Sequence, residues 1–470
     1  MQKFVEETKE VESSMSIALR QENILYRIRS FLANPYIFRR VCKSFQSVFL
    51  REITLKLNDN STQFLPEFSY PNLEKFNLID TRRRFDSTMV KQMDSGNLRH
   101  IIMSNWKETL KYVSMKINFL MNEAFDVFFC LADLEILEVL KLDLTGLFNE
   151  SSLIDDEDDG NRMISKILGA NECNLQELDL KINHFEFFDF SESVQMTNLK
   201  KVTISYTDNV LKFLDLSCPN LEYLQMSFCP YDEEEAEAFH GFNFYLIEKE
   251  THYMRNILFK LTTFKATCYN DDEQDFTMLD FLAIVFQQEL NLPNLTVLNI
   301  YSGISITNEH TFVQNLYRQV IPKLDLLRIY PLFKGISSNS KNSGLFCNIL
   351  NTVTALIIPS LNLDLKSLEN TQKLECIDFS IREAKQAIEA FNFFFRMNNI
   401  RVVNINLNFS SWSEINILSN EFKIALEKLN KKNESCSSQK LQIQLNLSHH
   451  MAESYDECCD DLKLIFNFFK

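Results

Sequence analysis

The stretch SCPNLEYLQMSFC, Ser217–Cys229, carries the pattern that decides the fold of this 470-residue chain. In it an apolar residue is followed by two variable positions and then by apolar residues alternating with polar ones, which is typical of a short strand with one buried face. Its two cysteines, Cys218 and Cys229, allow three interpretations: a disulfide, a pair of metal ligands, or small apolar side chains in a core. The pattern in the rest of the chain distinguishes between these three interpretations.

The same pattern recurs along the chain. Besides Ser217–Cys229, copies begin at Tyr70, Leu137, Cys173, Thr197, Leu261, Leu292, Pro322, Thr352, Gln372, Asn398 and Lys440, with a weaker copy at Gly96. Each copy predicts one strand, and alternation at Ile53, Leu55 and Leu57 predicts the first strand of the series. A single short strand buries its apolar face only by stacking on its neighbours, so the copies predict a continuous array.

Segments between the copies carry apolar residues at helical spacing. Asp275–Leu290 and Glu383–Met397 are two such segments, and the region between Leu221 and Leu261 also reads as helix. A strand, then a helix, then a parallel strand is the expected right-handed turn of a repeat array. The chain is therefore predicted to belong to the α/β class.

The repeats resemble leucine-rich repeats, whose strands read xxLxLxx. That resemblance implies a solenoid over residues 51–470, with parallel strands on the concave face and helices on the convex face. In the cysteine-containing subtype of these repeats the customary phrasing is CPNLxxLxLxxC, with the thiols buried under the turns. Cys218 and Cys229 are thus interpreted as packing residues, because a metal site would need tighter ligand spacing such as CxxC.

Residues 17–50, ahead of the repeats, show two short amphipathic helical patterns separated by a proline. ENILYRIRSFL (22–32) followed by FRRVCKSFQSV (38–48) resembles an F-box. The resemblance implies that this helical head docks onto a Skp-type adaptor held by a cullin. The residues implied to build or contact that interface are Ile24, Leu25, Ile28, Phe31, Leu32, Pro35, Ile37, Val41, Cys42 and Phe45. The alternative is that the same helices only cap the first repeat.

An F-box ahead of leucine-rich repeats resembles the substrate receptors of SCF ubiquitin ligases, which bind an unknown target protein through the repeats and catalyse nothing themselves. A non-catalytic scaffold in a multiprotein assembly is the alternative. An enzyme is disfavoured, because the chain has only eight glycines and lacks the glycine-rich motifs that bind phosphates or form catalytic elbows. No cofactor and no catalytic residue is predicted.

The formal net charge of −16 argues against a general nucleic-acid-binding protein. Arg82, Arg83 and Arg84 form a local basic patch that is more simply a solvated loop. The acidic runs Asp155–Gly160, within a loop predicted at 149–161, and Asp232–Glu237 read as solvated segments that could also attract basic partners.

The two ends of the chain carry the remaining predictions. Residues 1–16 are expected to be a flexible segment without a signal peptide, and no apolar run is long enough for a membrane span, so the protein is predicted to act in the cytoplasm or nucleus with its thiols reduced. His449, His450, Cys458 and Cys459 could form a zinc site. A C-terminal capping helix near 454–469 is favoured instead, because adjacent cysteines point to different helix faces.

Overall fold

The structure, a computed structural model, describes part of the chain. The described residues are 52–57, 73–80, 107–116, 131–134, 136–143, 165–181, 194–205, 210–228, 244–268, 278–302, 312, 315–316, 318–330, 352–358, 368, 371–381, 384–407, 424, 427–428, 431, 433–434 and 441–447.

The chain divides into two compact units, Met1–Asn220 and Leu221–Lys470. In the first unit the described elements are β1 (Glu52–Leu57), β2 (Lys75–Asp80), β3 (Tyr112–Lys116), β4 (Val139–Asp143), β5 (Glu177–Lys181), β6 (Lys201–Ser205) and α1 (Val210–Ser217). In the second unit they are β7 (Tyr223–Phe228), α2 (Phe244–Lys260), β8 (Thr263–Cys268), α3 (Met278–Val285), β9 (Val297–Ser302), β10 (Leu326–Tyr330), β11 (Ala355–Ile358), β12 (Cys376–Ile381), α4 (Ala384–Phe394), β13 (Val402–Leu407) and β14 (Gln442–Leu447).

The strands within each unit pair in sequence order, and every pair is parallel. In the first unit β1 to β6 form one ladder. In the second unit β7 to β14 form another. Parallel neighbours need a crossover between them, and the helices occupy such crossovers. The predicted α/β class is confirmed, and the strand order is consistent with a solenoid-like arrangement.

Alternating burial explains why each copy of the pattern forms a strand. In β4, Leu140 and Leu142 are buried while their neighbours are half-exposed, and the leading Leu137 of that copy is fully buried. Burying one such side chain contributes about 1.5–3 kcal/mol relative to leaving it in water. The leading residue and the two strand residues of each copy thus supply the core.

The asparagine that precedes the leading apolar residue in several copies joins successive repeats. The amide of Asn220 donates to the carbonyl of Thr197 at 2.7 Å, and the amide of Asn399 donates to the carbonyl of Thr371 at 2.7 Å. Asn198 makes the same kind of bond to Cys173. These bonds satisfy turn carbonyls that no strand can reach, which is why the motif reads Asn-Leu.

Helix α3 ends at Val285, before the predicted Leu290, because a side chain from α2 forms hydrogen bonds with its last carbonyls. The Arg255 guanidinium donates to the carbonyls of Ile284 and Val285, both at 2.9 Å. Side chains that cap the final carbonyls in this way stabilise a helix end. The helix predicted over Glu383–Met397 is confirmed as α4, which is shorter by a few residues, and α2 confirms the helix predicted between Leu221 and Leu261.

Strand β3 was not predicted, although its sequence follows the rule of the other copies. Leu110, Val113 and Met115 are buried and take the three core positions. The copy lacks the Asn-Leu signature, since Thr109 precedes Leu110. The weaker copy predicted at Gly96 lies outside the described residues, and α1 was also not predicted.

Candidate functional site

The candidate site is the outward side of the strands, where every second side chain points to solvent. We call it the strand face and divide it into a first row, one residue before the first buried strand residue, and a middle row, between the two buried residues. In β4 these are Val139 and Lys141, both half-buried. Because the strands pair in register, residues of one row lie side by side.

The strand face of the first unit carries charges of both signs. Its first row is Glu52, Lys75, Tyr112, Val139, Glu177 and Lys201, and its middle row is Thr54, Asn77, Ser114, Lys141, Asp179 and Thr203. Outward residues beyond these rows add Lys116, whose Nζ lies 3.5 Å from a carboxylate oxygen of Asp143. Surfaces that carry charges of both signs discriminate between binding partners by charge complementarity.

Glu177 is the centre of the charge network in the first unit. Its Oε1 accepts from Lys141 Nζ at 2.8 Å and from Lys201 Nζ at 2.9 Å. Burial acts to raise the pKa of Glu177, but the hydrogen bonds and charges of the two lysines together lower it. The hydrogen bond to Glu177 raises the pKa of Lys141. Glu177 and Lys141 therefore remain charged at neutral pH, and the two lysines hold the carboxylate in place.

Tyr112 lies between two lysines on the same face. The Nζ atoms of Lys75 and Lys141 are 5.4 and 5.7 Å from the centre of its ring, within the range of cation–π contacts. Tyrosine is enriched at protein interfaces and among the residues that contribute most to binding. Tyr112 is the candidate anchor of this unit.

Asp179 lies in the middle row, beside the charge network of Glu177, and its carboxylate is destabilised by burial. Its Oδ1 is buried without a hydrogen-bond partner. Burial raises the pKa of Asp179, against the opposing effect of Lys181 and Lys141. A carboxylate kept on a binding face at a cost in stability is a candidate contact for a partner's hydrogen-bond donor.

Replacing Asp179 by asparagine is expected to stabilise the protein at neutral pH. The pKa of Asp179 is higher in the folded chain than in the unfolded chain. The contribution of Asp179 to the free energy of unfolding is therefore largest below its unfolded pKa, and it is lost as the pH rises through its folded pKa. The free energy of unfolding of Asp179→Asn should therefore exceed that of the wild type near about pH 7 and converge with it towards about pH 4. Urea denaturation at both pH values measures this.

The matched control for that experiment is Asp133→Asn, at an exposed aspartate of the same unit. An Asp179→Asn protein that is less stable than the wild type at neutral pH would show that the carboxylate is compensated in the folded state.

The strand face of the second unit is mainly uncharged. Its first row is Tyr223, Thr263, Val297, Leu326, Ala355, Cys376, Val402 and Gln442, and its middle row is Gln225, Lys265, Asn299, Arg328, Ile357, Asp378, Asn404 and Gln444. At β7 and β8, Lys265 Nζ lies 5.1 Å from the ring centre of Tyr223, whose hydroxyl donates to Gln225 at 2.9 Å. Aromatic and amide side chains of this kind are typical of binding surfaces.

Five adjacent first-row residues of the second unit are apolar and half-buried, and we call them the apolar row. They are Val297, Leu326, Ala355, Cys376 and Val402, on strands β9 to β13. Burial and then the charge of Asp378 raise the pKa of the Cys376 thiol, so this member of the row stays neutral. Contiguous, partly exposed apolar residues of this kind are candidates for an interaction surface.

Two charged residues lie beside the apolar row in the middle row. Arg328 is on β10 and Asp378 is on β12, with Ile357 on the strand between them. Asp378 Oδ1 accepts from the amide of Asn406 at 2.8 Å. Burial raises the pKa of Asp378, while the hydrogen bonds of Asn406 and Asn404 and the charge of Arg328 act in the opposite direction. On its middle-row side the apolar row is therefore flanked by one positive and one negative group.

The cysteine interpretation is confirmed for the residue that the structure describes. Cys218 is fully buried and its thiol is in no disulfide, as expected for a packing residue, whereas Cys229 lies outside the described residues. Within the described ranges no group of three or more His, Cys, Asp and Glu side chains is arranged to hold a metal ion.

The sequence-predicted adaptor residues all lie outside the described part of the chain. This holds for Ile24, Leu25, Ile28, Phe31, Leu32, Pro35, Ile37, Val41, Cys42 and Phe45. It also holds for segment 1–16, the arginine patch, the acidic loop at 149–161, Asp232–Glu237, the capping helix near 454–469 and the His–Cys cluster. These remain predictions from sequence.

Sequence reasoning left the binding residues of the repeats unassigned. The signal was present for the apolar row, since an apolar residue precedes the first buried strand residue in five successive copies. No such signal was present for the contacts of Tyr112 and Glu177, because these contacts are made with lysines on neighbouring strands.

No helix among the described residues is long and apolar enough to cross a membrane. A scan against protein-family models and a comparison with curated proteins each found no match for this chain.

Proposed function

We propose that this chain is a leucine-rich-repeat protein with an F-box head, and that it is the substrate-recognition subunit of an SCF-type ubiquitin ligase. The observation that supports a receptor role is the strand face: parallel strands in sequence order, one per repeat, that hold rows of outward side chains in register. Strands would lie on the concave face of the solenoid and helices on its convex face. Residues 17–50 would bind a Skp-type adaptor held by a cullin.

In this role the chain makes and breaks no bonds. It holds a target protein near a charged ubiquitin-conjugating enzyme, which converts a bimolecular transfer into a nearly intramolecular one. The charged strand face of the first unit and the apolar row of the second would contact the target. A cytoplasmic or nuclear location belongs to the same proposal.

Replacing Ile24 and Ile28 together by aspartate is expected to abolish capture of a Skp-type adaptor. Two charges buried in an apolar interface without partners cost several kcal/mol, enough for about a thousandfold loss of affinity. A pull-down with purified adaptor measures capture. Ile424→Asp is the matched control, because Ile424 is 44% exposed, and this variant should retain full capture.

Adaptor capture that survives the Ile24→Asp, Ile28→Asp substitution would reject the assigned interface. Failure of the wild-type chain to capture any adaptor would leave residues 17–50 as a plain cap. Deleting the protein in cells then separates a receptor from a scaffold: a receptor's target accumulates on deletion and is turned over again only when a copy with an intact F-box is restored. A scaffold leaves the level of its bound proteins unchanged.

A further inference from the structure

The apolar row is the longest run of apolar residues in the described first row. In the first unit the corresponding positions include Glu52, Lys75 and Glu177, which are charged. In the second unit the row is bounded by Thr263 on β8 and by Gln442 on β14. The apolar row is therefore a bounded strip that runs across five strands, and its length can be compared with the dimensions of a bound peptide.

The spacing of the strip matches an α-helix better than an extended peptide. Neighbouring strands lie about 4.8 Å apart, so five strands span roughly 19 Å. An α-helix repeats its apolar face about every 5.4 Å, and roughly 13 residues cover that span. An extended chain repeats a given face only about every 6.7 Å, so its side chains would fall out of step after two strands. A helix laid across the strands places about one turn over each of them.

The flanking charges add a second requirement. Arg328 and Asp378 are two strands apart, about 9.6 Å, on the same side of the apolar row. Residues seven apart on a helix are separated by about 10.5 Å along its axis and lie on the same face. A helix over the row therefore fits best when it carries an acidic residue opposite Arg328 and a basic residue seven positions away opposite Asp378.

Resting on the receptor function proposed above, we propose that the apolar row binds an amphipathic α-helix of the partner protein. The helix lies across β9 to β13, with apolar residues at every turn facing Val297, Leu326, Ala355, Cys376 and Val402. On one flank of its apolar stripe it carries one acidic and one basic residue seven positions apart. This assigns a structural class to the recognition element of the target and a register to its charges.

The test uses the full-length protein and four alanine-based helical peptides of about 16 residues, long enough to cover the row. All four carry the same leucine stripe. Each peptide also carries two charged residues on one flank, seven positions apart. In the first peptide these are glutamate and then arginine, and in the second they are arginine and then glutamate. The third peptide carries two glutamates and the fourth carries two arginines. A helix can lie over the row in two directions, and only one of them puts the charged flank on the side of Arg328 and Asp378. In that direction only one of the two mixed peptides places its glutamate opposite Arg328 and its arginine opposite Asp378.

One mixed-charge peptide is expected to bind more tightly than the other three by about fivefold in fluorescence anisotropy at physiological salt, the size of effect that two partly exposed charge pairs produce. The proposal is overturned if no peptide binds, if all four bind alike, or if the peptide with two arginines binds best, since that last result indicates attraction to the net negative charge alone.

Alkylation of native thiols locates the bound peptide without any substitution. Cys376 belongs to the apolar row, whereas Cys173 is exposed in the first unit. The best peptide should slow alkylation of Cys376 by N-ethylmaleimide at least several-fold, read by mass spectrometry, and should leave Cys173 unchanged. A peptide that binds but leaves Cys376 as reactive as before lies elsewhere, and the proposal is then wrong.

Substitution on the face gives the matched comparison. Leu326→Glu is expected to abolish peptide binding, while Leu216→Glu, at an exposed position of α1 away from the strand face, should preserve it. Equal binding by the two variants would contradict the assignment. Adaptor capture through residues 17–50 is measured separately, so a protein that captures the adaptor but ignores the peptides disproves only the helix site. A protein that binds the best peptide but no adaptor loses only the ligase role.

Discussion

Replacing Phe394 by alanine is expected to lower the free energy of unfolding by about 3–5 kcal/mol, the range for truncating a buried phenylalanine. Phe394 is the last residue of α4 and is fully buried. Its ring centre lies 5.6 Å from that of Phe379 on β12 and 5.3 Å from that of Phe393. The substitution leaves a cavity between helix and strand that rigid neighbours cannot fill.

Urea denaturation followed by far-UV circular dichroism measures the loss, and hydrogen exchange of the β12 amides locates it. Phe259→Ala is the matched control in the same unit, because Phe259 is 55% exposed, and it should cost less than about 1 kcal/mol. Equal costs for the two substitutions would mean that α4 does not pack on β12 as described.

Replacing Gln319 by methionine, which has a similar volume but no polar groups, is expected to cost about 2–4 kcal/mol. Gln319 is 1% exposed. Its Nε2 donates to the carbonyls of Phe286 and Asn315 at 2.8 and 2.6 Å, and its Oε1 accepts from the amide of Leu290 at 2.8 Å. Methionine would remove a hydrogen bond from each of these three backbone groups, although the Asn315 carbonyl still accepts from the Arg318 N–H at 3.2 Å. The cost therefore comes from desolvated polar groups and not from a cavity.

Gln287→Met is the control for that substitution, since Gln287 is exposed in the turn after α3. It should change the denaturation midpoint very little. If Gln319→Met is as stable as the wild type, the connection from α3 to β9 must obtain its hydrogen bonds from water.

Particular elements show how far the sequence carried the fold. The copy at Gln372 predicted β12 because Ile377, Phe379 and Ile381 alternate with polar residues. All three are buried in the structure. The same reading missed β3, where Leu110, Val113 and Met115 keep the spacing but lack the Asn-Leu signature that several other copies carry. It overextended the helix beyond Val285, because the caps supplied by Arg255 and Gln319 come from residues about 30 positions away in sequence.

The candidate site was less predictable than the fold. Which outward residues face solvent follows from alternation, yet the notable contacts depend on the neighbouring strand. Glu177 meets Lys141 and Lys201 only because β5 pairs between β4 and β6. The raised pKa of Asp179 likewise follows from burial that local sequence does not show.

The sequence by itself determined the class of the fold and the period of the strands, because a strand with one buried face must alternate apolar and polar residues and a short strand must stack on its neighbours. Only the tertiary structure decided that Val297, Leu326, Ala355, Cys376 and Val402 form one continuous strip. The register of parallel pairing brings these residues together across the intervening helices and turns, and a slip of one residue would turn each of them into the core.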